Sequence, residues 1–114
     1  MVGGRPAVDD PCELCGRVVP ELTRHHLVPR MRHRKRSALK RFDLTEMRSG
    51  IAMLCRPCHK QIHALFSERE LEQSYYTLDL LREHPDMQRF LGWIRRKPGG
   101  LRVWTLRSRR GKRR

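Results

Sequence analysis

Apolar positions in this chain come in short clusters separated by strong punctuation. Residues 22–28 read as a short strand closed by Pro29, and residues 51–54, four apolar positions directly after Gly50, read as a second. Between them Asp43 or Thr45 stands where a helix cap belongs, so a short helix is expected through Arg48, ended by Gly50. Pro57 suits the first turn of a further helix, because its missing N–H would be unpaired there anyway. That helix carries Cys58, His59, Ile62, His63 and Phe66. Ser67-Glu68-Arg69-Glu70 has the reciprocal capping pattern and opens another. Thr77 and Pro85 mark two more starts, and after Pro85 the residues Met87, Phe90, Leu91 and Ile94 share one amphipathic face with the periodicity of a core helix. Trp93 belongs with them as core rather than as a stacking platform. Pro98-Gly99-Gly100 ends this helix, and residues 101–106 are expected as a last strand. The fold class is α+β.

At 114 residues the chain is long enough for one domain. It divides into a polar leader (1–11), a core (12–66), a helical extension of the same domain (67–106) and a basic tail (107–114). Hydrophobic residues make up 38% against 33% charged, so the core is thin and would benefit from a staple. The net charge of +14 attracts polyanions. No apolar stretch approaches a membrane span, and the Gly/Pro-rich leader is not a signal peptide. A cytoplasmic chain that contacts nucleic acid is the expectation.

The staple has candidates. Cys12-x-x-Cys15 and Cys55-x-x-Cys58 are two pairs with 39 residues between them. Two-residue spacing turns both sulfurs of a knuckle toward one ion, and two knuckles complete a tetrahedral four-thiolate zinc site with no position open to substrate. No βαβ pattern surrounds either pair, which argues against a thioredoxin-like redox motif. The histidines form a second pattern. His59 and His63, four apart on the helix that Cys58 anchors, share one face, and His25 and His26 sit near the end of the first strand. Two imidazoles from the helix and one from the strand would make a three-ligand site with positions left for water and phosphate. His33 and His84 lack a partner at useful spacing and read as polar surface.

Taken together, Cys12-x-x-Cys15, Arg24-His25-His26-Leu27-Val28-Pro29 and Cys55-Arg56-Pro57-Cys58-His59-Lys60-Gln61-Ile62-His63 resemble the HNH endonucleases of the ββα-metal (His-Me finger) fold. The resemblance covers residues 12–66. It implies a small ββα-metal unit braced by zinc knuckles, followed by C-terminal helices and a basic tail. It implies metal-dependent hydrolysis of phosphodiester bonds in nucleic acid, with His26 as general base. His25, His59 and His63 would hold a catalytic Mg2+, Mn2+, Ni2+ or Zn2+, alongside Zn2+ at Cys12, Cys15, Cys55 and Cys58. One departure is plain: the family's middle asparagine, which braces the loop ahead of the second strand, is missing. The chain contains no asparagine, and Ser49-Gly50 occupies that neighbourhood.

The nucleic-acid surface is expected on Arg24, Arg30, Arg32, Arg34, Lys35 and Arg36, with Arg56 and Lys60 flanking the metal helix. The run at 30–41 contains no carboxylate, so it should repel itself and stay an exposed loop or solvated helix start. Double-stranded DNA bound through its backbone is the expected substrate, by a monomer or a homodimer. Two other classes fit part of the pattern: a zinc-organised nucleic-acid-binding module that has lost catalysis, and a zinc-organised protein-interaction domain, which the charge disfavours.

Overall fold

The computed structural model describes residues 10–99; most of the expected leader, the strand at 101–106 and the tail at 107–114 lie outside the described residues. In chain order the elements are β1 (Leu22–His26), a 3-10 turn (Arg30–Arg32), α1 (Arg36–Arg41), α2 (Leu44–Ser49), β2 (Ile51–Cys55), α3 (Arg56–Leu65), α4 (Glu68–Gln73), α5 (Leu78–Glu83) and α6 (Pro85–Ile94). Among the described residues, no helix is long and apolar enough to cross a membrane.

β1 and β2 form a two-stranded antiparallel sheet in which Thr23 faces Leu54, His25 faces Ala52 and His26 faces Ile51. β1 stops two residues short of the expected 28. The Leu27 N–H still bonds the Gly50 carbonyl at 2.9 Å, but Val28 turns into the core and Pro29 starts the 3-10 turn. A two-stranded sheet is marginal by itself. Glu13 supports its far edge: its N–H bonds the Met53 carbonyl at 3.0 Å, and its carboxylate accepts from the Met53 N–H at 2.7 Å. That clamp sets the first cysteine knuckle beside the end of β2.

Local chemistry fixes the helix starts. Asp43 and Ser67 make reciprocal caps with Glu46 and Glu70, and Thr77 caps α5 through the Leu80 N–H. His84, expected as plain surface, caps α6 by accepting from the Asp86 N–H at 3.1 Å. Its ring packs against Phe66 and Tyr75. The main core joins Leu54, Ile62, Leu71, Leu81, Met87, Phe90 and Ile94 to all four cysteines. Each such side chain contributes about 1.5–3 kcal/mol by leaving water, so α4 to α6 seal the back of the strand–helix unit.

Of the exposed loop or solvated helix start expected of the basic run, the second is found: α1 begins within it at Arg36, and its cations other than Arg32 are exposed, while His33 and Ala38 turn inward. Ala38 on α1 is fully buried and makes a second small cluster with Val28 and Met47. Arg41 lies over the Phe42 and Tyr76 rings, 5.1 Å from each centroid. Its guanidinium also donates to the Glu72 and Gln73 carbonyls, at 3.4 and 3.3 Å, so this cation is held by ring faces and backbone oxygens.

Candidate metal centre and cationic groove

Cys12 and Cys15 are held in a tight hairpin. The Cys12 N–H bonds the Arg17 carbonyl and the Gly16 N–H bonds the Cys12 carbonyl, both at 2.9 Å. Gly16 has φ +82°, a left-handed conformation that favours glycine. Cys55 ends β2 and is also the N-cap residue of α3, and Cys58 lies one turn on. All four thiols are buried and unbridged, and their sulfurs lie within 4.8 Å of one another. Backbone N–H groups of Leu14 and Cys15 point at the Cys12 sulfur, each at 3.4 Å. Four buried sulfurs this close can hold a metal ion. The hydrogen bonding of Cys12, followed by that of Cys55 and Cys58, drives the Cys15 thiol far toward its ionised form.

Arg17 completes this cluster. It is buried, its Nε lies 3.4 Å from the Cys15 sulfur, and its other guanidinium nitrogens lie 3.3 Å from the Cys55 sulfur and 2.9 Å from the Pro98 carbonyl. One cation therefore faces two sulfurs and ties the residues after α6 to the knuckle. Nothing in the local sequence pattern singles it out.

The second cluster is built on the sheet's other end. Alternation along β1 puts Thr23 and His25 on the face toward α3 and turns His26 away. His25, His59 and His63 offer ring nitrogens that all lie within 4.8 Å of one another, a second group able to hold a metal ion. His25 Nε2 is buried with no hydrogen-bond partner among the described residues. Burial, then the neighbouring His59, His63 and His26 rings, pushes His25 down to about 3. Burial, His63 and Arg56 lower His59. Both rings are thus neutral near pH 7, as ligands must be.

His26 stands outside that group but beside it. It lines both a cavity of about 270 Å³ that contains His25, His59, His63 and Glu68 and a groove of about 650 Å³ lined by Arg24, Arg30, Arg34, Arg48 and His33. Burial, then His33, Arg30 and Arg24, lowers its pKa below the ordinary histidine value of 6.5. Among the described residues, no acidic side chain lines the groove.

Against known proteins, no family model matches the chain and no solved structure matches it. The uncharacterized protein YisB of Bacillus subtilis (strain 168) is 41% identical to it over 97 residues, which is 85% of this chain and 85% of that protein. The chain belongs to the family of YisB.

In this YisB-family chain the structure brings together both expected ligand sets and sets His26 at the join of cavity and groove. Arg24, Arg30, Arg34, Lys35, Arg36, Arg56 and Lys60 are exposed. Arg32 is the correction: its Nε bonds the fully buried Glu72 carboxylate at 2.8 Å, so it braces the turn against α4 instead of facing outward. His33 is the other. It is buried, its Nε2 lies 2.8 Å from the Val28 carbonyl, and its ring meets that of His26 edge-on at 5.7 Å. Lys35, Arg36, Arg56 and Lys60 line neither cavity, whereas Arg48, on α2, lines the groove without having been expected there.

Proposed function

We propose that this chain is a metal-dependent endonuclease of the HNH type, hydrolysing phosphodiester bonds in nucleic acid, with double-stranded DNA the favoured substrate. The observation that carries the reading is the three-imidazole cluster of His25, His59 and His63 with His26 beside it, open to a groove lined by four arginines. In this reading Cys12, Cys15, Cys55 and Cys58 hold a structural Zn2+. Arg17 offsets part of the charge of four thiolates.

His25, His59 and His63 would hold a divalent ion, which when bound would supply positive charge to offset that developing on the phosphate. The chain's own groups do the rest. Arg24, Arg30, Arg34 and Arg48 receive the phosphate backbone along the groove. His26, kept neutral by burial and its cationic neighbours, takes the proton of the attacking water. His33, bonded to the Val28 carbonyl, backs the His26 ring. The absent asparagine has a backbone substitute in this reading. α2 leads straight into β2, the Gly50 N–H bonds the Glu46 carbonyl at 2.8 Å, and the Gly50 carbonyl accepts from Leu27.

Incubating the purified protein with supercoiled plasmid and Mg2+, Mn2+ or Ni2+ tests the proposal. Nicking that requires the added ion and disappears in His26→Ala supports it. The missing asparagine favours one alternative, a binding module on the same scaffold. Tight DNA binding with no ion-dependent nicking would establish that reading instead.

A further inference from the structure

Glu68 sits in the first turn of α4, directly after the capping residue Ser67. It lines the cavity of about 270 Å³ that holds the three imidazoles, and it is the only acidic residue among those lining it. Its Oε1 is buried with no hydrogen-bond partner among the described residues, and it makes no ion pair there either. Burying a carboxylate oxygen without a donor is costly. The same cavity holds a second such atom, His25 Nε2. Two unpartnered lone-pair donors, a ring nitrogen and a carboxylate oxygen, line one small space, and a cation would suit both.

The surrounding charge adds a second reason. Arg24 and Arg30 line the cavity too, so a dication among the three imidazoles would meet repulsion from these charged neighbours unless an anion faced it. Resting on the reading that His25, His59 and His63 bind a divalent ion, we propose that Glu68 is the counter-charge of that site. Its oxygens do not join the group of atoms that lie within 4.8 Å of one another, so it acts from across the cavity and not as a ligand. Removing the charge should therefore weaken Mn2+ and Ni2+ binding alike, since both ions carry the same charge.

The test uses the full chain with zinc at the cysteines, titrated calorimetrically with Mn2+ and with Ni2+. Wild type, Glu68→Gln, Glu68→Asp and His59→Ala are compared, each checked by thermal melting. Glu68→Gln should lose affinity for both Mn2+ and Ni2+ by about 10–100-fold, the usual effect of removing a group that supports the ligands. Glu68→Asp, which keeps the charge, should recover part of the Mn2+ affinity even if the glutamine variant melts early. If Glu68→Gln binds both ions as wild type does while His59→Ala loses both, the Glu68 assignment is overturned and the three-imidazole site stands. If wild type itself takes up neither ion, both are overturned.

Discussion

Thr23 Oγ1 lies 2.8 Å from His59 Nδ1 and donates its single proton to the Leu54 carbonyl, 2.9 Å away. The ring nitrogen must then be the donor to the hydroxyl, which places the His59 proton on Nδ1 and leaves Nε2 with its lone pair. A hydroxyl on β1 thus fixes the tautomer of a helix histidine 36 positions later in the chain. Thr23→Val keeps the β-branched shape and removes the hydroxyl. It should weaken metal binding at the histidine cluster by about 10–100-fold, with nitrogen chemical shifts showing His59 released from one tautomer. An unchanged affinity and tautomer would show that the hydroxyl does not orient the ring.

Arg17 should govern how firmly the cysteines hold their ion. Arg17→Met removes hydrogen bonds to two sulfurs and to the Pro98 carbonyl, each charged bond worth about 1.5–3 kcal/mol. Release of zinc to a chromogenic chelator should speed up and the thermal melt should fall, with Arg17→Lys intermediate. Cys55→Ser should go further and unfold the domain, since it removes a thiolate at the corner between strand and helix. Full zinc content and an unchanged melt in that variant would contradict a four-cysteine site.

Cleavage should depend on pH through His26. Its pKa is lowered from 6.5 by burial first and then by His33, Arg30 and Arg24, and in the proposed mechanism the neutral form is the base. The rate should therefore be on its plateau at pH 7 and fall as pH drops through a pKa below 6.5. His26→Ala should lose that limb and slow saturated cleavage by roughly 10²–10⁴-fold. A profile that rises only above pH 8 would assign the base elsewhere.

The arginines should separate into two kinds. Replacing Arg34 and Arg48 together should reduce the slope of log affinity against log salt by about 0.9 for each phosphate they cease to neutralise, with little change in stability. Arg32→Ala should do the reverse. It strands the fully buried Glu72 carboxylate, costing on the order of 3 kcal/mol, and leaves the salt slope alone. A salt slope reduced by Arg32→Ala and untouched by the pair would exchange these roles.

The local signals were readable because each is written within four residues. Asp43 with Glu46, Ser67 with Glu70, Pro57 and Pro85 fix where helices begin, and paired spacing exposes Cys12, Cys15, Cys55 and Cys58. His59 and His63 declare themselves by helical periodicity. Residues whose partners are distant in the chain stayed hidden. Arg32 finds Glu72 40 positions away, and Arg17 finds Cys55 38 positions away. Glu68 is only five positions beyond His63, but it lies past the end of α3, so helical spacing does not point to the cavity it lines. Within the basic run, charge alone does not distinguish Arg32, which turns inward, from Arg30 and Arg34, which line the groove. The direction of each is set by a 3-10 turn that composition does not signal.

Cys58 and His59 are consecutive, so the two ligand clusters are joined by a single peptide bond. Bringing Cys15 to Cys55 closes a long loop, at an entropy that grows only as about (3/2)RT ln n with its length. The same closure carries His25 and His59 into reach of each other. Once sulfurs are gathered, the imidazoles no longer meet by diffusion of a free chain but at the fixed separation of a strand and a helix. A metal held at the thiolates would therefore act on the histidines as a concentration term. It would raise the local concentration of three ring nitrogens about a point it never touches.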